Sequence, residues 1–258
     1  MNTQTYEFRE IPYAILDGYG LTQEMIDDLP ENVMMRFLSG GYTPPLPVLT
    51  KDYEGQVVKT PTRISMIRLN NGQTDIMMAP RWTDMDLSEF PEEVQQALKI
   101  GKVVKSYIPT TGTCYLQYDM DIRQVIALPE KIVNHNIRIA ADYFNLTEQE
   151  IASIMAGQAT EVTRWGETTT IGIDMAEASV VRVIKGDTQQ WINDAQTERL
   201  DKYNFALYGC WVADEDNNLE YIPESEYTQK MVQEQIRRQA SNSAAEQMRQ
   251  MNNQAGLK

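Results

Sequence analysis

Histidine, cysteine and long apolar segments are scarce in this chain. It has one histidine, His135, and two cysteines, Cys114 and Cys210, which lie far apart in strand-like segments without a CxxC motif. This spacing argues against a disulfide framework and a zinc site, so both cysteines are predicted to be ordinary buried thiols. No apolar run approaches the roughly 18 residues that a membrane span needs, and the N-terminus lacks the zones of a secretory signal. We therefore expect a cytoplasmic protein.

Familiar catalytic motifs are missing as well. The chain has no Gly-rich phosphate loop, no HExxH and no GxSxG, the patterns that place phosphate-binding amides, metal ligands or a nucleophile. His135, between Asn134 and Asn136, would serve as a base only with partners that the sequence does not display, so a structural role is favoured. Many of the 37 acidic residues could pair for glycoside chemistry, but no spacing singles out a pair. The sequence predicts no catalytic residue and no cofactor.

Basic residues are few, and they are unevenly placed. The formal net charge is −14; residues 111–228 carry 20 acidic and 8 basic side chains, whereas residues 229–258 carry 2 and 5. Affinity for nucleic acid comes largely from Lys and Arg that neutralise phosphates. The acidic body is therefore predicted not to bind duplex DNA directly, and the C-terminal tail is the mildly basic part.

The chain does contain two copies of one helix–turn–helix sequence pattern, over 16–29 and 141–154. In each copy a residue that tolerates a left-handed backbone precedes a threonine suited to cap the next helix; the pairs are Gly20 with Thr22 and Asn145 with Thr147. The same apolar spacing occurs in DNA-binding helix-turn-helix motifs. The second helices, however, display acidic residues such as Glu24 and Glu148, which phosphates would repel, so a packed helical hairpin is favoured.

Short amphipathic helices end at Gly40, Gly101 and Gly157, and strand-like segments broken by NNG, TTG and RWGE follow each of them. Glycine suits a helix C-cap, and alternating β-branched and aromatic residues suit antiparallel strands. The predicted fold class is α+β, with about three successive helix-plus-antiparallel-hairpin units, an aromatic C-terminal hairpin block and a helical or disordered tail. The predicted segments are 1–80, 81–130, 131–185, the aromatic block 186–228 and the tail 229–258.

The aromatic block offers a possible binding surface, because aromatic residues concentrate in binding sites. Its candidate residues are Trp211, Tyr208 and Tyr221. Alternating apolar residues in the same block are equally typical of a half-buried strand. A core role for the cluster is the favoured interpretation.

An alternation of oxygen-bearing residues near the end of the body resembles the first half of a calcium loop. The weak candidates for a metal site are Asp214, Asp216 and Asn218. Leu219 stands where the sharp-turn glycine belongs, and Ser225 where the bidentate glutamate belongs, so a hairpin turn is favoured. Asp119 and Asp121 could likewise offer oxygens to a hard cation, but carboxylates near a turn are ordinary. No metal is predicted.

Several longer segments carry a resemblance to a family. The segments EIPYAILDGYGLTQEMIDDLP, SGGYTPPLPV, TIGIDM and KYNFALYGCWVADEDNNLEYIPE resemble an uncharacterised family of Bacteroidetes proteins encoded on conjugative and other mobile elements. The resemblance covers the chain from Phe8 to about Tyr227. Similar proteins are described only as domains of unknown function, so the resemblance implies a mobile-element setting and no site residue.

Three functions remain open from the sequence. The leading hypothesis is a non-enzymatic cytoplasmic accessory protein of a mobile genetic element that binds an unknown protein partner through exposed sheet edges and the tail. The first alternative is an acidic DNA mimic that inhibits a host defence protein. The second is an accessory to DNA processing or mobilisation that contacts DNA through the basic tail. No membrane partner is expected.

Overall fold

Four small sheets organise the chain. The computed structural model describes residues 6–52, 54–81, 84–177, 179–197 and 200–241. In this part of the chain twelve strands form four three-stranded antiparallel sheets, and each sheet joins strands that follow one another in sequence. Helices precede the sheets, which confirms the predicted α+β class.

The element bounds show one helix directly before each sheet. The helices are α1 (Tyr13–Asp17), α2 (Gln23–Asp27), α3 (Glu31–Leu38), α4 (Glu92–Lys99), α5 (Glu130–Phe144), α6 (Glu148–Met155), α7 (Thr188–Thr197) and a C-terminal helix over 229–241. The strands are β1 (Leu46–Lys51), β2 (Val57–Arg68), β3 (Thr74–Pro80), β4 (Val104–Ile108), β5 (Gly112–Asp119), β6 (Gln124–Pro129), β7 (Thr160–Arg164), β8 (Glu167–Ile173), β9 (Val181–Lys185), β10 (Tyr203–Phe205), β11 (Gly209–Ala213) and β12 (Leu219–Pro223). Short 3-10 turns cover Phe8–Glu10, Leu87–Glu89 and Glu224–Glu226.

The aromatic block is larger than the predicted hairpin. The hairpin β11–β12 is present, but β10 adds a third strand and α7 supplies a helix of its own, so the chain repeats the helix-plus-sheet arrangement four times. In the first sheet, β2 begins at Val57, well before the apolar pattern suggested, and runs through Pro61, which lies opposite Pro47 of β1. Pro47 is tolerated because β1 is an edge strand, and Pro61 because β2 pairs with β3 only from Thr62 onward.

Both copies of the repeated helical phrase have the predicted turn. Gly20 and Asn145 have φ of 77° and 50°, and in both copies the next residue donates its amide to the carbonyl five residues earlier, at 3.1 and 3.0 Å. Thr22 and Thr147 accept a backbone amide at the start of the following helix, and Glu150 completes a capping box with Thr147. Local sequence signals alone therefore set these two corners.

The three glycine helix ends also share one geometry. Gly40, Gly101 and Gly157 have φ of 81°, 72° and 83°. Each donates its amide to the carbonyl three residues back, and the following residue donates to the carbonyl five residues back. This Schellman arrangement satisfies the last carbonyls of each helix and requires the left-handed backbone that glycine adopts without a steric penalty.

The apolar cores cross from one sheet to another. Trp211 and Leu219 of the fourth sheet lie in the same core as Leu16 and Ile26 of the first helices. Tyr115 of the second sheet packs into a core formed mainly by residues 133–183. A third, smaller cluster surrounds Leu98, Cys114 and Leu116. The first and last sheets are therefore held together although they lie at opposite ends of the described chain.

Among the described residues, no helix has the length and apolar character needed to cross a membrane. The C-terminal helix begins the predicted tail and is anchored by Met231, which is buried, and by an ion pair between Arg238 and Asp201 at 3.1 Å. The remainder of the predicted tail, 242–258, lies outside the described residues.

Candidate functional site

The turn between β11 and β12 contains the weak metal candidates and uses their oxygens for its own hydrogen bonds. Oδ1 of Asp214 accepts the amides of Asp216 and Asn218 at 2.9 and 2.8 Å, and Oδ2 accepts the Asn218 side-chain amide at 2.8 Å. Asp216 pairs with Arg123 at 2.9 Å. These contacts form the predicted turn, and no cluster of three or more His, Cys, Asp or Glu suited to a metal occurs among the described residues.

A cleft of about 880 Å³ lies on one side of this turn, between the first and fourth sheets. We call it the proline cleft. Its apolar wall consists of Pro45, Leu46, Pro47, Pro61, Leu200, Val212, Ala213 and Leu219. Charged side chains, including Lys59, Lys202 and Glu220, line it as well. A volume of this size is typical of ligand sites, and the lining combines eight apolar residues with seven polar or charged ones.

Two contacts join the first and fourth sheets beside the proline cleft. Leu219 of β12 donates its amide to the carbonyl of Pro45, just before β1, at 2.9 Å. Lys59 of β2 pairs with Glu220 of β12 at 2.9 Å. The three prolines of the wall contribute no backbone N–H, and the carbonyls of Pro45 and Pro61 already accept the amides of Leu219 and Arg81, so this wall presents mostly apolar surface.

Asn218 brings a single unusual polar atom to the proline cleft. Its Oδ1 is buried and accepts no hydrogen bond within the described structure, whereas its Nδ2 is bound to Asp214. A buried acceptor without a donor costs about 1–3 kcal/mol. Because this oxygen has almost no accessible surface, an N–H donor reaches it only after the side chains around it move.

A second cleft, of about 540 Å³, lies on the other side of the turn, where segments from all four sheets meet. We call it the charged junction. Arg63 is buried there in an ion pair with Asp119 and donates Nε to the carbonyl of Thr43 at 2.9 Å. Asp119 also accepts the amides of Asp121 and Ile122, so its oxygens are occupied. This cleft joins the sheets.

Further ion pairs between arginines and carboxylates lie near the protein surface, next to the charged junction. Arg123 bridges Asp84 at 3.0 Å and Asp216 at 2.9 Å, and the hydrogen bond from Arg123 holds the pKa of the Asp84 carboxyl below its ordinary value. Arg182 lies 3.8 Å from Asp174. Each of these arginines faces at least one carboxylate, so the junction serves as a connection between segments.

The predicted aromatic surface is largely interior. Trp211 is fully buried and donates its indole N–H to the carbonyl of Met25 at 2.9 Å. Tyr221 donates its hydroxyl to the buried Asp28 at 2.6 Å, and burial, together with that hydrogen bond, raises the pKa of the Tyr221 phenol. Only Tyr208 is exposed, at 44%. The cluster is therefore the joint between the first helices and the fourth sheet, because its polar tips have partners inside the molecule.

The histidine and the cysteines lie apart from both clefts. His135 is exposed on α5 and lines neither of them. Cys114 and Cys210 are free and buried, which confirms the prediction of ordinary buried thiols, and burial raises the pKa of the Cys210 thiol to about 11. None of the three residues is placed to act on a ligand in either cleft.

Sequence reasoning missed the main components of the clefts. Pro45 and Pro47 form part of a wall of the proline cleft, and no motif marks them as binding residues. Arg63 of the charged junction carries no sequence signal either, because its partner Asp119 lies far away in sequence. A run of prolines entering an edge strand was the one signal that could have indicated a donor-poor wall.

No protein-family model, no curated protein and no solved structure matches this chain. The resemblance to the Bacteroidetes mobile-element family therefore stays a prediction. The features that bear on function are those of the chain itself: an apolar cleft with one unsatisfied acceptor, a charged junction beside it, and a histidine remote from both.

Proposed function

We propose that this protein is a non-enzymatic binding protein that holds an extended segment of a protein partner in the proline cleft. The observation that carries the proposal is the combination of an apolar, proline-lined wall with the buried, unpartnered Oδ1 of Asn218. A peptide supplies both of the things this cleft lacks, namely apolar side chains to fill the volume and backbone N–H donors.

The arrangement of charged groups favours binding over catalysis. General acid–base chemistry needs a titrating group within hydrogen-bond reach of the reacting atom. His135 is remote from the clefts, and the buried carboxylate of Asp119 is engaged by Arg63 and by backbone amides. The groups around the β11–β12 turn stabilise structure, which leaves the shape and apolar surface of the proline cleft as the basis of recognition.

The setting of this activity follows from the resemblance. We propose a cytoplasmic accessory role on a mobile genetic element, in which the partner is another protein. The alternative in which the tail contacts DNA has less support, because Arg238 pairs with Asp201 and Arg237 with Glu234, which reduces the positive charge available to phosphates. The acidic mimic stays a prediction without a structural feature in its favour.

Val212→Arg tests the proposal. Val212 is half-buried and faces the proline cleft, so an arginine there fills the cleft and places a charge against its apolar wall. The matched control is Val57→Arg, which makes the same change at an exposed strand position outside the cleft.

Quantitative affinity purification with the full chain as bait is the measurement. We expect a defined partner to be retained by the wild type and by Val57→Arg and lost by Val212→Arg, with circular dichroism confirming that both variants fold. Equal recovery of the same partner by both arginine variants would show that the proline cleft is not the binding site.

A further inference from the structure

The hairpin between β7 and β8 exposes a tryptophan at its tip. Trp165 is 93% exposed and has φ of 52°, followed by Gly166 at φ of 85°. Arg164 and Glu167 are the last paired residues, so Trp165 and Gly166 form a two-residue turn with both backbones left-handed. Asn-Gly is the favoured sequence for such a turn.

Nothing in the hairpin itself requires an indole at this position. A left-handed backbone is unfavourable for a residue with a large side chain, and an indole in solvent keeps its apolar surface wet. An asparagine at position 165 would relieve both of these costs. The conformation of the hairpin therefore does not explain why position 165 is a tryptophan.

Hydrogen bonds on both sides of Trp165 brace the backbone of the hairpin tip. Arg164 donates Nη2 to the carbonyl of Asn145 at 3.2 Å and to Glu150 Oε2 at 2.6 Å, which ties the strand end to α6. The hydroxyls of Thr163 and Thr168 bond across the two strands at 3.1 Å. A side chain presented on a braced turn loses little conformational freedom when it binds.

The proline cleft has the chemistry that receives an indole. Its apolar wall matches the ring faces, and the ammonium groups of Lys59 and Lys202 lie at its border, where a cation is attracted to the negative face of an aromatic ring. A buried indole N–H needs an acceptor, and the unpartnered Oδ1 of Asn218 supplies one once the side chains that cover it move. Both halves of this contact are present in every copy of the chain.

We propose that the chain associates with itself head to tail, with Trp165 of one copy inserted into the proline cleft of the next. This inference rests on the proposed function of the cleft as a protein-binding site and names a second copy as an occupant. Because the two contact surfaces differ, the contact is heterologous and leads to a ring or an open chain of copies.

The association is expected to be weak. A tryptophan buries ~150–250 Å², well below the ~1,200 Å² of a stable standard interface, so the equilibrium depends strongly on protein concentration. Each copy also carries a net charge of −14. Added salt screens this repulsion, and the association should strengthen as the salt concentration rises.

Sedimentation velocity of the full chain over a range of concentrations tests the proposal with two variants. Trp165→Asn removes the indole and keeps the cleft, whereas Val212→Arg blocks the cleft and keeps the indole. Each variant alone should weaken self-association at least ~10-fold. An equimolar mixture should restore association but stop at a 1:1 dimer, since only one productive contact can form.

Two controls keep the outcome unambiguous. Trp165→Asn should melt at the same temperature as the wild type or higher, because Asn-Gly suits the turn. N-acetyltryptophanamide should dissociate wild-type oligomers and bind the Trp165→Asn variant, but not the Val212→Arg variant. The measurements on the wild type and on Trp165→Asn do not use Val212→Arg, so they test the cleft even if that variant folds poorly.

Different outcomes separate this inference from the proposed function. A wild type that stays monomeric at every concentration and salt level, or a mixture of variants that does not associate, overturns self-docking. If Val212→Arg nevertheless loses a purified partner, the cleft remains a binding site for another protein. If Val212→Arg loses neither a partner nor N-acetyltryptophanamide binding, the proposed function fails as well.

Discussion

At the scale of single residues, Asp28 connects two segments that lie far apart in sequence. It follows α2, is 3% exposed, and its carboxylate accepts the amides of Leu207 and Tyr208 and the hydroxyl of Tyr221. One buried charge thus satisfies three donors from a segment about 180 residues further along the chain. Hydrogen bonds to charged groups contribute ~1.5–3 kcal/mol each to stability.

Replacement of Asp28 by asparagine should therefore destabilise the protein by about 3 kcal/mol, because an amide nitrogen cannot accept the hydrogen bonds that one carboxylate oxygen receives. Urea denaturation followed by tryptophan fluorescence measures the change. The control is Glu24→Gln on the same helix, where the side chain is exposed and the expected change is within ~0.5 kcal/mol. Equal effects of the two substitutions would contradict the role assigned to Asp28.

At the scale of secondary-structure elements, the repeated helix ends differ in their surroundings. Gly101 and Gly157 share the left-handed backbone and the same pair of capping hydrogen bonds. A Cβ at Gly101 would meet nothing within 4 Å, whereas a Cβ at Gly157 would lie 2.6 Å from the carbonyl oxygen of Val103. The end of α6 is thus packed directly against the chain that enters the second sheet.

The two alanine variants should separate these effects. Gly101→Ala costs only the left-handed backbone, ~1–2 kcal/mol, while Gly157→Ala adds a steric clash of ~1–3 kcal/mol. Urea midpoints at equal slopes give the comparison. If Gly157→Ala is no worse than Gly101→Ala, the close approach of Val103 does not constrain the fold.

Elements were predictable where the signals are local. Gly20, Asn145 and the three glycine caps fix helix ends through contacts within five residues, and the alternating patterns indicated the strands of the first three sheets. The fourth sheet was predicted incompletely, since β10 has only three residues and α7 has few apolar residues. The clefts were not predictable, because they depend on how distant sheets meet, as in the contact of Pro45 with Leu219.

At the scale of the whole molecule, the charged junction connects the first and second sheets through Arg63 and Asp119, both nearly inaccessible to solvent. Arg63 also lies over the ring of Tyr42, with 5.7 Å to the centroid. Removing Asp119 leaves the buried Arg63 with only the more exposed Asp121, 3.8 Å away, which is far more costly than the net contribution of the pair.

Asp119→Asn should accordingly lower the free energy of unfolding by about 3–5 kcal/mol. Glu220→Gln breaks the exposed pair with Lys59 and should change it by less than ~1 kcal/mol. The double variant Arg63→Met with Asp119→Leu should recover only the part of the loss that comes from the unpaired charge, because the amides of Asp121 and Ile122 and the carbonyl of Thr43 lose their partners. A denaturant-based double-mutant cycle measures the coupling. A neutral effect of Asp119→Asn would show that the junction does not hold the sheets together.

The core shared by the first and fourth sheets also determines the order in which the molecule can be completed during synthesis. The helices at the start leave the ribosome early, but the indole of Trp211 and the side chain of Leu219 that fill their apolar face emerge only near the end. The residues around 133–183 have most of their packing partners nearby in sequence. Nascent chains therefore keep an unfilled apolar surface near their beginning until translation is almost finished, a period in which chaperone binding would protect them from aggregation.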